Sequence, residues 1–337
     1  MKESSIKKAA DGKSLDIKLP RISNRSHPIE QGNYLLDTIE INNLKEVLND
    51  WIESRTPGGI VYGNPRIGKT NAIEFLMRIF ESDYNGVVKT FRFNCQKFIR
   101  PNENTFFEFL LRDVGHALFD KGKANSKRDR LFKYFLHCGE NLHRKQIVLF
   151  MDDAQRLQEI EYEWLMDIFN ELDRYGITLT SILFGQDELR YLRSTYSEAN
   201  MKQIVGRFMI HQYNFHGINN IDSLAYFLAG YDYATDYPNN SGWSFTRYYF
   251  PKGFALGYRL EDFAETLWKY LQDLHINSMK KKTFEVPLYY MTTVINNVFK
   301  IHGTNGEELE WINMTQIKNS LLNSGYYIYE GFKSPYE

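Results

Sequence analysis

Residues 63–70 read Gly63-Asn64-Pro65-Arg66-Ile67-Gly68-Lys69-Thr70, and this stretch decides the fold of the chain. It matches the phosphate-binding pattern G-x-x-x-x-G-K-[ST] at every fixed position. The apolar run at 59–62 predicts a buried strand before it, and the apolar spacing at 70–77 predicts an amphipathic helix after it. Glycines let consecutive backbone N–H groups converge on phosphate oxygens, and the helix start adds its positive dipole end. We therefore expect these residues to bind a nucleotide, with Lys69 on the β- and γ-phosphates and Thr70 on Mg²⁺.

The bulk composition is that of an ordinary globular protein. The chain has 337 residues, 43% of them hydrophobic and 25% charged, which favours about two domains. Lys and Arg number 41 against 42 Asp and Glu, which argues against a wholly basic nucleic-acid coat protein but not against a local basic surface. Cys95 and Cys138 lie far apart, so neither a zinc site nor a disulfide framework is indicated. Since no long apolar run and no signal-peptide core are found, we expect a cytoplasmic protein without a membrane partner.

Alternating strand and helix signals predict an α/β domain with a mostly parallel sheet over residues 34–216. Strands are expected at 59–62, 87–93, 146–151, 178–184 and 208–213. Helices are expected at 41–52, 105–118, 131–142 and 164–172. Residues 1–33 show little periodicity, and we interpret them as an arm that becomes ordered on a partner.

After residue 216 the pattern becomes mainly helical. Predicted helices at 221–228, 260–271, 286–298 and 315–322 indicate a lid domain over 217–310. The Tyr-, Asn- and Gly-rich stretch 231–252 is interpreted as an insertion in this domain. Residues 311–337 form a partner-binding tail, whose aromatic part at 325–332 could dock on a partner or pack on its own lid. The predicted fold is thus a P-loop α/β core followed by a helical lid.

A second signal for the nucleotide site is the apolar run 147–151, which ends in Asp152 and Asp153. An apolar strand followed by two acids is the Walker B arrangement. In it Asp152 would hold Mg²⁺, and Asp153 would orient or deprotonate the attacking water. Asp is one methylene shorter than the Glu usual at the second position, so we expect slow hydrolysis. An acidic helix N-cap after a buried strand is the alternative interpretation.

Three further residues are candidates for catalysis or nucleotide sensing. Gln186 follows the predicted strand 178–184 and could sense the γ-phosphate, or it could cap the next helix. Arg207 precedes the last predicted strand and could reach the γ-phosphate of a neighbouring subunit, or it could form a surface salt bridge. Arg259 opens a helix of the second domain and could fold over the nucleotide, or it could be an ordinary residue at a helix start.

Positive charge is concentrated in two segments that could follow a DNA backbone. A predicted loop at 121–130 carries five cations and one acid, and two more cations follow the second strand. Repeated around an oligomer, such loops would line a pore and bind phosphates without reading bases. A solvated charged loop is the equal alternative. The candidates for double-stranded DNA are Lys97, Arg100, Lys121, Lys123, Lys127, Arg128 and Arg130.

Together these segments resemble the AAA+ family and, within its initiator-like branch, the TnsC and TniB transposition ATPases. The resemblance is carried by residues 63–70, by Asp152-Asp153-Ala154-Gln155 and by Ile182-Leu183-Phe184-Gly185-Gln186-Asp187-Glu188-Leu189-Arg190. ExeA-type secretion ATPases are similar in the same segments. The family pattern places the trans-acting arginine at Arg207 and the second sensor at Arg259. The chain departs from it in having Asp153 for Glu and in the stretch 231–252.

The resemblance implies an ATP- and Mg²⁺-dependent regulator of transposition. Such proteins assemble on duplex DNA as homo-oligomeric rings or helical filaments, and they connect a target-selection protein to the transposase. A nucleoid-associated location in the cytoplasm follows from this. A secretion or envelope-assembly ATPase competes, but it normally carries a membrane segment and a wall-binding module, which the sequence does not show. A replication initiator or a regulatory NTPase with protein partners only also competes, although 286–337 is short for an initiator's DNA-reading domain.

Overall fold

The computed structural model describes residues 18–23, 25–278 and 284–331. Within them, five strands form one parallel sheet in the order β2-β3-β4-β1-β5. The predicted parallel α/β sheet is therefore confirmed, and the carboxyl ends of its strands meet at one edge. The strands are β1 (Gly58–Tyr62), β2 (Val88–Asn94), β3 (Gln146–Asp152), β4 (Thr178–Gly185) and β5 (His211–Asn214).

Eight α-helices lie between residues 28 and 208, and all but the first pack on the two faces of the sheet. They are α1 (Pro28–Gln31), α2 (Ile39–Glu53), α3 (Lys69–Asp83), α4 (Glu103–Asp113), α5 (Ala124–Glu140), α6 (Glu159–Arg174), α7 (Asp187–Glu198) and α8 (Lys202–Phe208). Apolar residues of α2 and α3 pack on one face, and those of α4 to α8 pack on the other. Strand β3 is buried along its whole length, which explains its continuous apolar sequence.

The chain after β5 is helical and has a core of its own. Its helices are α9 (Ile221–Tyr233), α10 (Phe245–Tyr249), α11 (Pro251–Ala255), α12 (Ala264–Asn277), α13 (Leu288–His302), α14 (Met314–Asn323) and α15 (Tyr326–Glu330). Buried apolar residues of these helices form one cluster, separate from the two clusters at the sheet. A mainly helical second part is thus confirmed.

Three predicted element boundaries are wrong. Helix α4 ends at Asp113 and not at Leu118, because Gly115 takes a left-handed backbone with φ 84° and turns the chain away. Leu118, the last residue of the predicted helix, lies beyond the end of α4 and is 53% exposed. The expected basic loop at 121–130 is shorter, because α5 already begins at Ala124. The last strand begins at His211 and not at 208, because residues 202–208 form α8.

The described part of the N-terminal arm packs on the chain's own helical core, which corrects the expectation that it needs a partner for order. Helix α1 buries Ile29 in that core, and Leu19 and Ile22 pack against it. Residues 1–17 and residue 24 of the predicted arm lie outside the described residues.

His27 anchors this arm inside the helical core. Its Nδ1 accepts a hydrogen bond from the Ile29 N–H at 3.2 Å, and its buried Nε2 has no hydrogen-bond partner among the described residues. Burial lowers the pKa of His27 from its ordinary value of 6.5 to about 4. The imidazole therefore stays neutral at physiological pH. Four rings lie around it at centroid distances between 4.7 and 5.1 Å, those of Tyr237, Phe245, Tyr248 and Tyr249.

Acidification is expected to destabilise the protein through His27. Below about pH 6.5 the unfolded chain binds a proton at this imidazole, whereas the folded protein does so only near pH 4. The free energy of unfolding should therefore fall by about 2 kcal/mol between pH 7 and pH 5, and His27→Phe should remove this part of the fall. Thermal unfolding of both proteins at the two pH values measures the effect. The same loss of stability in both proteins would contradict the role of His27.

Two more segments pack in the helical core. The stretch 231–252, interpreted as an insertion, supplies buried aromatic residues to this core, namely Tyr231, Phe245, Tyr248, Tyr249 and Phe250. The tail packs on its own lid as far as it is described, because Tyr326 is fully buried in the same core. Residues 332–337 of the tail, with Phe332, lie outside the described residues.

Candidate functional site

A cleft opens where the carboxyl ends of β1, β3 and β4 meet helix α13. Its volume is ≈ 380 Å³, within the range of ordinary small-ligand sites. The sheet side contributes Pro65, Arg66, Gly68, Lys69, Thr70, Asn71, Asp152, Asp153 and Gln186. The helical side contributes Leu288, Tyr289, Thr292, Thr293 and Asn296. The structure therefore brings three sequence segments predicted to act together into one site.

The phosphate loop has the backbone that anion binding requires. Gly68 adopts φ 106°, a conformation that side chains disfavour, and α3 begins directly after it with Lys69. The Lys69 ammonium donates to the carbonyl oxygens of Gly63 and Asn64, both at 2.7 Å. Burial lowers the pKa of Lys69 to about 8, although nearby carboxylates oppose the shift. Ile67 is buried in the core under the loop, so its side chain supports the loop and does not face the cleft.

The candidate magnesium ligands Thr70 and Asp152 lie side by side. The Thr70 hydroxyl donates to Oδ2 of Asp152 at 2.9 Å. Paired hydroxyl and carboxylate oxygens beside a phosphate loop fit Mg²⁺, which takes few protein ligands and completes its shell with water and phosphate. Among the residues that the structure describes, no cluster of three or more His, Cys, Asp or Glu side chains offers another metal site.

Arg92 is a site residue that the sequence interpretation missed. Its guanidinium donates to Oδ2 of Asp152 at 2.8 Å and to Oε1 of Glu74 at 3.0 Å. It therefore shares Oδ2 of Asp152 with the Thr70 hydroxyl and balances the charge of the carboxylate. Position 92 lies on the strand next to β3, but the sequence alone does not show which strands are neighbours.

Asp153 and Gln186 both line the cleft, as predicted for residues that act on the γ-phosphate. Asp153 has a left-handed backbone with φ 55° and ψ 36°, a conformation that Asp and Asn tolerate better than Glu does. This preference offers a reason for Asp at this position. Gln186 occupies the N-cap position of α7, yet its side chain makes no capping hydrogen bond and stays available to the cleft.

The variable positions of the phosphate loop contact the helical part directly. The Arg66 carbonyl accepts from the Tyr289 N–H at 3.1 Å, and the Arg66 guanidinium lies 4.9 Å from the centre of the Tyr289 ring. The Asn64 amide donates to Oε2 of Glu285 at 2.7 Å, while Oε1 of Glu285 accepts from the Gly217 N–H at 2.6 Å. The contacts of Arg66 and Asn64 join residues more than 200 positions apart, so no local pattern could have revealed them.

Arg207 does not line the cleft of its own chain. It lies at the end of α8, with its guanidinium 5.3 Å from the centre of the Phe169 ring. An open groove between α6 and α8, with a volume of ≈ 670 Å³, includes Arg207 in its wall. Arg207 lies at the surface, where a neighbouring subunit could approach it, and its action on that subunit stays a prediction.

Arg259 lies outside the cleft, which corrects its prediction as a nucleotide sensor. Its guanidinium donates to the carbonyl oxygens of Phe254 at 2.9 Å and Tyr258 at 2.7 Å, and it lies 3.6 Å from the centre of the Phe254 ring. These contacts hold the side chain within the helical part. The lid side of the cleft is formed by α13 instead.

The predicted DNA-binding residues fall into two groups. Lys97, Arg100, Lys121 and Lys123 are exposed, although Lys121 is 3.1 Å from the carboxylate of Asp120. Arg128 contacts Glu103 at the start of α4, so the start of α5 lies at the same end of the domain as the loop that carries Lys97 and Arg100. These four exposed cations face solvent on two segments whose flanking helices are joined by the Arg128–Glu103 contact.

The three DNA-binding candidates within α5 are engaged in intramolecular contacts. Lys127 is only 1% exposed and pairs with Glu108, so we correct its assignment and remove it from the DNA candidates. Arg128 also bonds Asp167 at 2.9 Å. Arg130 donates to the carbonyl oxygens of Leu118 and Lys121, both at 2.7 Å. From Ala124 onward the expected loop is a helix, and Lys127 lies on its buried side.

No helix within the described ranges is both long enough and apolar enough to cross a membrane.

Comparison with known proteins supports the assignment of the α/β part. A family model described as an AAA domain matches residues 52–192, and no curated protein matches the chain. The ORC2 protein of Aeropyrum pernix, in ADPNP and ADP complexes, is 16% identical with a TM-score of 0.45, covering 90% of this chain and 85% of that one. Cdc6p of Pyrobaculum aerophilum is 13% identical with a TM-score of 0.41, covering 93% and 83%.

Drosophila ORC bound to poly(dA/dT) DNA and Cdc6 is also similar, at 10% identity and a TM-score of 0.45, over 79% of this chain and 39% of that one. Likenesses this weak say nothing about function. The assignment depends on the sheet order, the phosphate loop and the family match. The chain has the P-loop fold of the AAA+ ATPases, nucleotide-hydrolysing proteins in general, followed by a helical C-terminal region.

Proposed function

We propose that this protein binds MgATP in the cleft between the sheet and α13 and hydrolyses it slowly. The observation that carries the proposal is the convergence of Lys69, Thr70, Asp152, Asp153 and Gln186 on that single cleft. Thr70 and Asp152 would hold Mg²⁺, which when bound would neutralise charge that develops on the phosphates. Side chains of the protein would bind the phosphates and orient the attacking water.

Each of these side chains has a role that follows from its position. Lys69 would exchange its two carbonyl contacts for phosphate oxygens, because a charged acceptor binds an ammonium more strongly than a neutral one does. Asp153 would orient the attacking water and take its proton. Gln186 would donate from its amide to the γ-phosphate, and Arg207 would reach the γ-phosphate of the adjoining protomer.

We further propose that the protein is an ATP-dependent regulator of transposition that oligomerises on double-stranded DNA. The support is the likeness of the phosphate loop, the Walker B segment and residues 182–190 to TnsC and TniB ATPases. A target-selection protein and a transposase would be its partners. ATP bound between protomers would hold the assembly together, and hydrolysis would release it.

The DNA surface that we propose consists of the four exposed cations Lys97, Arg100, Lys121 and Lys123. They lie at one end of the α/β domain, and an oligomer would repeat them along a DNA backbone. Contacts of this kind follow phosphates and depend strongly on salt, since binding releases condensed counterions.

Charge reversal of Lys121 and Lys123 is expected to abolish DNA retention while ATP binding persists. Both side chains are exposed, so Lys121→Glu with Lys123→Glu should leave the fold intact. Fluorescence anisotropy of a labelled duplex, at a fixed salt concentration and with a non-hydrolysable ATP analogue, measures the change. The exposed helical residues Lys252 and Lys269, changed to Glu together, serve as the control for net charge. Equal DNA affinity in the two double variants would remove Lys121 and Lys123 from the proposed surface.

Electron microscopy of the protein with a random duplex tests the larger proposal. Rings or filaments that form only when the ATP analogue and DNA are both present would support it. Calorimetry that detects no uptake of adenine nucleotide would refute both parts of the proposed function.

A further inference from the structure

Two hydrogen bonds connect Asp153 to the end of β4 through one side chain. Nε2 of Gln155 donates to Oδ1 of Asp153, with 3.2 Å between the two atoms. Oε1 of the same amide accepts from the backbone N–H of Gln186, with 3.3 Å between the atoms. Gln155 therefore contacts both the residue proposed to act on the attacking water and the residue proposed to sense the γ-phosphate.

Close packing at Gly185 determines where the Gln155 amide can lie. A Cβ atom added at Gly185 would be 2.6 Å from Oε1 of Gln155 and 3.0 Å from Cδ2 of Leu189. Non-bonded heavy atoms do not approach to 2.6 Å without displacement, so only glycine at position 185 permits this arrangement. The amide is thus held between the end of β4 and the turn that follows β3.

Asp153 has a second contact, which restrains it less. Its Oδ2 lies 2.9 Å from a guanidinium nitrogen of Arg156, but the side chains of Arg156 and Asp153 are 45% and 41% exposed. Water and salt compete effectively for such an exposed ion pair. The half-buried Gln155 contact is therefore the one that directs the carboxylate.

We propose that Gln155 is a positioning residue for ATP hydrolysis, which holds the Asp153 carboxylate in a fixed relation to Gln186. Gln155 lies outside the cleft lining, so it acts through Asp153 and not on the nucleotide. Because its carbonyl and amino groups belong to one rigid plane, a shift of the Gln186 backbone reorients the N–H that holds Asp153. A change in the position of Gln186 would then change the orientation of the Asp153 carboxylate as well. This inference rests on the proposed ATPase function.

Three substitutions test the two hydrogen bonds of Gln155 and the close packing at Gly185. Gln155→Glu keeps the oxygen that accepts from Gln186 but loses the donor to Asp153. Gln155→Met keeps the length of the side chain and removes both hydrogen bonds. Gly185→Ala leaves Gln155 in place but forces its amide to move. The exposed β5 residue Gln212, changed to Glu, is the matched control.

The assembled protein is assayed for steady-state ATP hydrolysis, and a fluorescent ATP analogue gives the affinity for nucleotide. Each of the three variants is expected to lose about tenfold in kcat, the worth of one directing hydrogen bond, with KM and Kd within about twofold of wild type. Gln212→Glu should match wild type in all three quantities. A loss confined to kcat marks a residue that orients the catalytic group, since general damage to the cleft would weaken nucleotide binding as well.

The outcomes distinguish this inference from the function on which it rests. If the wild-type protein neither binds nor hydrolyses ATP, the proposed function fails. If the wild type hydrolyses ATP and both Gln155 variants keep its kcat, the ATPase assignment stands and the positioning role is overturned. Loss of kcat together with a parallel loss of affinity in the Gln155 variants would also overturn it.

Discussion

Lys69→Ala is expected to weaken ATP binding by about 100-fold, or ~3 kcal/mol, because charge-assisted hydrogen bonds to phosphate are lost from a buried position. The Lys69 ammonium contacts two carbonyl oxygens of the phosphate loop, and the residue also lines the cleft. Hydrolysis at subsaturating ATP should fall at least as much. Isothermal titration with MgATP analogues measures the affinity directly.

The exposed residue Lys133, changed to Ala, is the matched control for Lys69→Ala. Its side chain pairs with Asp129 on the solvent face of α5, so its loss should not affect nucleotide binding. Thermal unfolding of both variants without nucleotide separates loss of binding from loss of fold. Wild-type affinity in folded Lys69→Ala protein would show that the loop does not hold the triphosphate.

Arg207→Ala is expected to reduce hydrolysis in assembled protein by about 1,000-fold, the lower end of what an arginine supplied by a neighbouring subunit contributes. ATP binding by dilute protomers should stay at the wild-type level, because Arg207 does not line the cleft of its own chain. The measurement is the ATPase rate per protomer over a range of protein concentrations. A rate that is unchanged by the substitution, or equal in dilute and assembled wild type, would rule out the role.

Mixing two inactive variants tests whether Arg207 acts across an interface. Arg207→Ala has an intact Asp153, whereas Asp153→Asn has an intact Arg207 to donate to its neighbour. Equal mixing should restore about a quarter of the wild-type rate per interface, because head-to-tail assembly pairs the two variants productively at that frequency. A mixture that is no more active than its components would place Arg207 in its own subunit's chemistry or outside catalysis.

The sequence predicts the α/β half well because its signals are local. The glycine spacing of 63–70 and the two acids after a continuous apolar strand each depend on a few adjacent residues. Parallel strands then bring Asp152 and Gln186 to the loop without further assumptions. The boundary errors near Leu118 and Arg207 arise where a left-handed glycine or a short helix interrupts a periodic pattern.

The contacts made through tertiary packing could not be predicted in the same way. Tyr289 and Arg92 reach the site through tertiary packing, and their neighbours in the sequence carry no signal of it. Arg259 has the motif position of a sensor, but backbone carbonyls nearby provide its guanidinium with closer partners. In the sequence, Lys127 stands among other charged residues, which is typical of a solvent-exposed segment. Only the structure shows that it lies on the buried side of α5 and pairs with Glu108.

The attachment of α13 to the phosphate loop has a mechanical consequence. Arg66 is hydrogen-bonded to Tyr289 in the first turn of α13, and Asn64 to Glu285 just before it, so a shift of the loop on nucleotide binding would act on the start of α13. The same helix packs against α14, and its buried side chains share a core with the arm anchored by His27. A nucleotide that moves the loop would therefore also move α13 and the helices that share its core. A partner bound to the helical part would then detect nucleotide binding as a movement of the surface that it contacts.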